Sequence, residues 1–489
     1  MYTSILLTFA VFVLVLVLLI LRKKKNAPPG PVAWPFIGSQ FFLRRLAREL
    51  GGQHLAFLEL CKRYGSNVIA LQVGPKNMLV VSGNKLVQEI LSGEEYDGRP
   101  WDNFIKLRNM GMRKGITMND GPDWKKLRSW TVRTFRTVGF GRTQMSDLIK
   151  DELVIVLDNM NKSGAQRIKP ILSPAVINVL WTLATGKRLS EGSRLSYFID
   201  LMERRARLFD MVGGMLSTFP WIQHIAPEMS GYNLVLALNK ELKDFLMESI
   251  AEHKDRWVPG SEADLIDMFL REMFENKEDK SVFTDDQLVM VLADLFIAGC
   301  ITTSTTMDFL FAHMTVHQDV QEKLQKEIDA VIGSDRLPDL EDRPKMPYTE
   351  AVLAECQRMC AITPIIGPRR VLRDTKLENY HVPKNTTVLI NIYSVHMDPT
   401  IYHEPEVFNP ERFIKDGSYV ADENALYFGK GKRRCPGEVL ARSALFLMFA
   451  GVMQKYRLLP VPGKGPYKVE ILPGLTISPK PYEVLVVPR

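Results

Sequence analysis

Met1 to Leu21 is apolar apart from Thr3, Ser4 and Thr8, and Arg22-Lys23-Lys24-Lys25 follows at once. About 20 apolar residues cross a bilayer, and a positive cluster keeps its own side cytosolic. The pattern predicts an uncleaved anchor over residues 1–21. A cleaved signal peptide is the rival, but no charged start precedes the run and no small-residue cleavage site follows it. Pro28-Pro29-Gly30-Pro31 stops the helix continuing. Residues 22–34 therefore read as a basic, proline-rich linker that sets the orientation of residues 35–489.

Beyond the linker the period changes twice. Val68-Ile69-Ala70-Leu71-Gln72-Val73 and Met78-Leu79-Val80-Val81 flank Gly74-Pro75, which predicts a hairpin. From about residue 121 a helical period dominates. It fits helices over 145–161, 234–256, 285–315 and 318–332, and an apolar helix-like run from Val439 to Met453. Strand-like pieces return near 387–391 and after 466. The chain reads as mainly α with a minor, segregated β-sheet. The charged stretch from Pro259 to Asp286 reads as a solvated connection.

Composition narrows the class. The 489 residues are 46% hydrophobic and 9% aromatic, enough for a sizeable core, and show no linker or repeat that divides the chain. A net charge of +7 suits an anionic membrane surface or an acidic protein partner. Without zinc-finger spacing or an aromatic-basic motif, nucleic acid is not expected as a partner. Cys61, Cys300, Cys356, Cys360 and Cys435 form no regular framework, which argues for a reducing compartment.

The sharpest motif is Phe428-Gly429-Lys430-Gly431-Lys432-Arg433-Arg434-Cys435-Pro436-Gly437. Basic residues and free N–H groups favour a thiolate, the form that binds metal. Glycines let the backbone approach a flat ligand. A cysteine-ligated haem iron needs this setting. A basic surface loop with an incidental cysteine is the bland alternative, and the complete F-x-x-G-x-R-x-C-x-G spacing argues against it.

Three other constellations matter. Asp294, Ala298 and Thr302 recur every four residues on one helical face. Gly299 beside them costs a helix about 1 kcal/mol relative to alanine, which signals a close approach or a distortion. Glu355 and Arg358 share a helical face and can pair. Trp124 and Arg128 do likewise one turn apart, and an arginine fork suits a carboxylate.

With Pro410-Glu411-Arg412-Phe413 added, the chain resembles the cytochrome P450 superfamily over nearly its whole length. The resemblance implies that fold, with an N-terminal transmembrane anchor and a haem-thiolate catalytic domain over 35–489. It implies haem b with Cys435 as axial ligand, Phe428 packed against it and Gly437 in the binding loop. Arg433, Trp124, Arg128 and Arg369 would hold propionates, with Arg370 as the alternative to Arg369. Ala298 and Gly299 would lie over the haem, Thr302 beside bound dioxygen, and Asp294 in the proton supply. Arg412 would join Glu355 and Arg358 in a buried structural triad. The substrate pocket would draw on the loop from Arg99 to Asp120 (Phe104, Met110, Met118), and on Leu295, Phe296, Ala298, Ile365, Ile366, Leu475 and Thr476. Lys106, Arg108, Arg113 and Lys114 read as surface or propionate-facing, with a substrate carboxylate as another use.

An acid usually precedes the threonine in that family, and here Ile301 stands there. Gly98-Arg99-Pro100 through Gly121-Pro122 to Val138-Gly139-Phe140-Gly141 is similar to the insect microsomal branch. That branch holds juvenile-hormone epoxidases acting on methyl farnesoate and enzymes turning phenylalanine into an aldoxime and a nitrile. The implied activity is oxidation of a small lipophilic substrate with O2 and electrons from NADPH–cytochrome P450 reductase, with cytochrome b5 as a second donor. The implied location is the endoplasmic reticulum membrane, catalytic domain in the cytosol. Lys125, Lys126, Lys430, Lys432, Arg433 and Arg434 would form the reductase-docking face. A dehydratase or isomerase needing no O2 is a second class, motivated by Ile301; a non-catalytic haem sensor is a third.

Overall fold

The computed structural model describes residues 8, 11–12, 15, 27–139, 143–160, 164–189, 192–208, 214–276, 282–464, 468–474 and 476–489. The expected anchor lies outside the described residues except for Thr8, Val11, Phe12 and Val15, and the pocket residue Leu475 lies outside them altogether.

Six helices position the site: α1 (Pro122–Thr137), α2 (Thr143–Met160), α3 (Lys169–Thr185), α4 (Asp285–Val316), α5 (Pro347–Cys360) and α6 (Glu438–Lys455). α4 is the axis of the core. Its start is set locally: the Thr284 hydroxyl caps the Gln287 N–H, and Asp285 and Asp286 suit the positive helix end. Among the described residues it alone is long and apolar enough to cross a membrane, yet two-thirds of its most apolar stretch is buried in the protein. It is a core helix, packed against α3, α5 and α6.

The main sheet holds β1 (Val68–Val73), β2 (Lys76–Val81), β3 (Ile365–Arg370) and β4 (Thr387–Asn391), in the order β1-β2-β4-β3. β1 and β2 form the expected antiparallel hairpin, Val68 opposite Val81. β2 pairs with β4 in parallel, and β4 with β3 antiparallel. The last ladder shifts register between Ile366 and Arg369, where Gly367-Pro368 stand. Proline brings no N–H to a ladder, so the bulge falls there, and it leaves two carbonyls for the site below.

The helices over 145–161, 234–256, 285–315 and 318–332 are present as Thr143–Met160, Tyr232–Arg256, Asp285–Val316 and Gln318–Val331. Two expectations need correction. Helices precede residue 121: Gln40–Leu50 and Gln53–Tyr64 cover the sheet through Leu43, Leu46, Phe57 and Leu60 against Ile69, Leu71 and Leu389. And the "solvated" stretch after Pro259 contains a core helix, Leu265–Glu275. Its Leu265, Ile266 and Phe269 are buried, with Phe269 edge-on to Trp130 at 5.2 Å. Its charged flanks obscured a short apolar face.

Candidate functional site

A cavity of about 250 Å³ opens between α4 and the Cys435 loop, walled by α1, α3 and the start of α6. The loop's shape follows from its glycines. Gly429 and Gly431 have φ of +69° and +70°, and a β-carbon on Gly431 would meet the Leu91 carbonyl at 2.4 Å. Only glycine accepts both demands. The Cys435 N–H donates to the Phe428 carbonyl at 2.9 Å. Cys435, Phe428 and Gly437 all line the cavity.

Burial pushes the Cys435 thiol above its ordinary pKa, while the Gly437 N–H, Arg128 and Arg434 pull the other way without prevailing. Three basic residues of the loop are paired on its outer side: Lys430 donates to Gln88 at 2.9 Å, Lys432 pairs with Glu94 and Arg434 with Glu438. A bound metal would displace the proton, since ligands must be deprotonated to coordinate.

Arg99, Arg128 and Arg433 converge on the same cavity. Arg433 lies with its Cζ 3.5 Å from the Trp124 ring centroid, a cation–π contact. Its Nε and Nη2 donate to the Asp97 carbonyl at 2.9 and 2.5 Å. Arg99 Nη1 donates to the Gly367 and Pro368 carbonyls that the β3 bulge left unpaired in the sheet. Arg128 donates to the Arg434 carbonyl. Burial, then mutual repulsion, holds Arg99 and Arg433 well below the usual arginine pKa, Arg433 at about 9. Arg433 Nη1 and the Nε of Arg99 and of Arg369 are buried with no hydrogen-bond partner among the described residues. Buried donors left in this state are costly. The donor set fits an anionic group, and a haem with its two propionates meets it, above a cysteine ligand.

Several expected residues sit elsewhere. Trp124 is not in the lining: its Nε1 donates to the Ile116 carbonyl at 3.0 Å, and its ring supports Arg433. Arg369 is buried behind the wall, paired with Asp97 at 2.9 Å, and Arg370 pairs with Asp120 at 2.8 Å. Arg433 points inward and cannot belong to a docking face. Phe296 turns away from the cavity into a cluster with Trp181 and Phe198, each 5.3 Å away. Phe104 and Met118 form their own cluster with Leu216, Ile222 and Val235. Ile365 and Ile366 pack into the sheet's two faces.

From α4 the lining takes Asp294, Leu295, Ala298, Gly299, Thr302 and Thr303. The Thr302 hydroxyl donates to the Ala298 carbonyl at 2.7 Å. Asp294 Oδ2 accepts from the Ile116 and Thr117 N–H groups at 2.8 and 2.9 Å. Gly115, with φ +82°, is required beside it, because a β-carbon there would meet that oxygen at 2.4 Å. Burial raises the Asp294 carboxyl above the ordinary range, against the opposing pull of Arg108 and those N–H groups. Asp294 thus ties the 115–117 loop to α4 through Oδ2 while it lines the cavity.

The apolar wall of Phe135, Val176, Val179 and Leu180 was missed in the sequence, and Arg99, at the start of the expected pocket loop, was given no role of its own. The wall residues look like any core helix. Arg99 carried one signal, an arginine wedged in Gly98-Arg99-Pro100.

Behind the site, Arg358 is bidentate to Glu355 at 2.7 and 2.8 Å, and Arg412 Nε reaches the same carboxylate at 3.0 Å. Arg358 also donates to the His396 and Pro405 carbonyls. The pair is fully buried and satisfied.

This arrangement, a cysteine under an arginine-rimmed cavity roofed by a threonine helix, is that of a haem-thiolate enzyme. The chain matches the cytochrome P450 family over residues 28–486 and belongs to it. It is 40% identical to the probable cytochrome P450 305a1 of Drosophila melanogaster, over 96% of this chain and 95% of that one. It is 35% identical to the farnesoate epoxidase of Bombyx mori, over 94% of each. It is 33% identical to cytochrome P450 2J2 of Homo sapiens, over 96% of this chain and 92% of that one. Cytochromes P450 are monooxygenases that use haem b, with electrons typically supplied from NADPH by a reductase.

Proposed function

We propose that this chain is a membrane-anchored monooxygenase that epoxidises a small sesquiterpenoid ester of the methyl farnesoate type. The observation that carries this reading is the apolar lining that Phe135, Val176, Val179, Leu180 and Leu295 give to the cavity at Cys435. Such a surface suits a hydrocarbon chain. The farnesoate epoxidase among its relatives supports the narrower choice. A phenylalanine zwitterion is less well suited to that apolar wall.

In this reading Cys435 holds the iron, Phe428 flanks it, and Arg99, Arg128 and Arg433 hold the propionates. Bound haem supplies the activation of O2 with reductase electrons. Thr302 spends its proton on the Ala298 carbonyl, so its lone pairs are left to accept from a water in the cavity. Ile301 contributes no proton. Lys125, Lys126, Lys430, Lys432 and Arg434 are exposed and would meet the acidic reductase, with cytochrome b5 as an alternative donor. Residues 1–21 would anchor the chain in the endoplasmic reticulum membrane, and 22–34 would set the orientation of 35–489.

The test is turnover of methyl farnesoate by the full chain and reductase in vesicles with NADPH. Epoxide formation that vanishes in Cys435→Ala, together with the thiolate-type Soret band of the reduced carbonyl complex, is expected. No epoxide from an enzyme that shows that band would overturn the substrate assignment.

A further inference from the structure

Three buried residues that can ligate a metal meet where α3 ends at Thr185. They are His253, near the end of the helix Tyr232–Arg256, and Asp264 and Asp267, at the start of the helix Leu265–Glu275. Their exposures are 3, 1 and 5%. One nitrogen or oxygen from each lies within 4.8 Å of the others. None of them lines the cavity at Cys435. His253 Nδ1 is 2.6 Å from the Ser249 carbonyl one turn back, so that nitrogen carries the ring proton. Nε2 then faces two acceptors, Asp264 Oδ2 at 3.0 Å and the Thr185 carbonyl at 3.2 Å.

A second ring proton would bridge Nε2 to those oxygens, but it would leave Asp267 unmet. Asp267 Oδ2 accepts from the Ala263 N–H at 3.2 Å, while Oδ1 is buried with no hydrogen-bond partner among the described residues. A buried polar atom left without a partner is costly, more so beside a second buried carboxylate. One shared divalent cation removes both faults. We propose that His253 Nε2, Asp264 Oδ2, the Asp267 carboxylate and the Thr185 carbonyl hold a divalent metal ion of the zinc type. An imidazole with carboxylate oxygens is a ligand set that zinc accepts. Zinc bonds of about 2.0–2.2 Å to nitrogen and oxygen put tetrahedral neighbours about 3.4 Å apart. The 3.0 and 3.2 Å around Nε2 are already close to that. The ligands are also oriented from behind. The Ser249 carbonyl fixes the ring, and Asp264 Oδ1 accepts from the Asp267 N–H at 3.0 Å.

The site lies one residue beneath the surface. Gly186, Arg256 and Ala263 around it are all exposed. A β-carbon on Gly186, whose φ is +71°, would meet Asp264 Oδ2 at 2.8 Å, so glycine at the end of α3 keeps that oxygen open. The Arg256 guanidinium stands 3.4 Å from the same oxygen with its side chain 43% exposed, and it has solvent to swing into when a cation takes its place. The bound ion ties the end of α3 to the two helices that flank the connection over 257–264. Because α3 also carries Val176, Val179 and Leu180 of the cavity lining, the ion braces one wall of the site from outside it.

The test uses the full-length, untagged protein with haem bound, stripped with EDTA and re-equilibrated with Zn2+ at buffered free concentrations. Zinc per haem is read by elemental mass spectrometry, and zinc-edge X-ray absorption reports the ligands. One zinc per chain is expected, with nitrogen and oxygen neighbours at about 2.0–2.2 Å. Asp267→Asn keeps an oxygen for the Ala263 N–H and should retain haem. Its zinc affinity should fall by about a hundredfold, since even residues that only orient a ligand cost about 10–100-fold. Zinc should raise the thermal midpoint of the wild type and leave that of Asp267→Asn unchanged at the same free concentration. Sulfur neighbours at about 2.3 Å would put the ion on cysteines and overturn the proposal. So would equal zinc affinity in wild type and Asp267→Asn, or a wild type that retains no zinc, either of which leaves the cluster an imidazolium–carboxylate pair.

Discussion

Leu180 Cδ1 lies 2.7 Å from where a β-carbon on Gly299 would stand. The two residues belong to α3 and α4, and the absence of one side chain sets how closely these helices pack beside the Cys435 loop. The helix penalty of Gly299 is offset by this close approach, with no distortion of α4 needed. Gly299→Ala should therefore drive Leu180 into the cavity and lower haem occupancy, although alanine is the better helix former by about 1 kcal/mol. Gly299→Ala with Leu180→Ala should recover the occupancy. Haem content per protein, read from the Soret band in the single and double variants, checks it; equal losses in both would deny the coupling.

The Glu355 carboxylate serves Arg358 and Arg412 together, and the Asn409 N–H at 2.9 Å. Glu355→Gln leaves two guanidinium groups, one of them fully buried, without countercharge. Breaking such a pair costs about 3–5 kcal/mol. A urea titration should show the midpoint falling by that equivalent, with haem released early. Arg412→Ala, whose side chain is nearer the surface, should cost less.

Asp308 on α4 is buried, and burial pushes its carboxyl up to about 6, against the opposing effects of Tyr482 and Lys169. A folded pKa above the unfolded value means that the fold favours the protonated acid. The stabilisation is complete below about pH 4, near the unfolded pKa, and is lost as pH rises through 6. Asp308→Asn removes the penalty at neutral pH, about 3 kcal/mol for a shift of this size. The variant's gain in unfolding free energy should be large at pH 7.5 and shrink toward pH 4.5. A gain independent of pH would assign the effect to packing.

Ile301 faces the proton question directly. Asp294 Oδ2 is held by the 115–117 loop, and a water donating to Thr302 is the other route for protons. Ile301→Glu places a carboxyl beside that water and should raise product formed per NADPH consumed, with less peroxide released. The same assay under argon with an aldoxime substrate gives the opposing result: turnover there, with no gain in coupling, would favour the dehydratase class.

The cysteine loop, the α4 motif and the Glu355–Arg358 spacing were legible in the sequence because each depends on local rules: glycine at positive φ, a four-residue helical period, a side-chain pair one turn apart. The β1–β2 hairpin was legible for the same reason. What the linear chain could not decide was direction and charge balance. Phe296 and Leu295 are neighbours, yet only Leu295 faces the cavity, since Trp181 and Phe198 from distant helices capture Phe296. Trp124 was read as a propionate donor, but the Ile116 carbonyl, brought close by the loop that Asp294 ties down, takes its N–H. The thiol of Cys435 was read as acidic from four basic neighbours. Three of those neighbours turn outward to Gln88, Glu94 and Glu438, and of the four only Arg433 lines the cavity. Local sequence thus determined which residues meet along one element, and tertiary packing decided which way they face and how much water they lose.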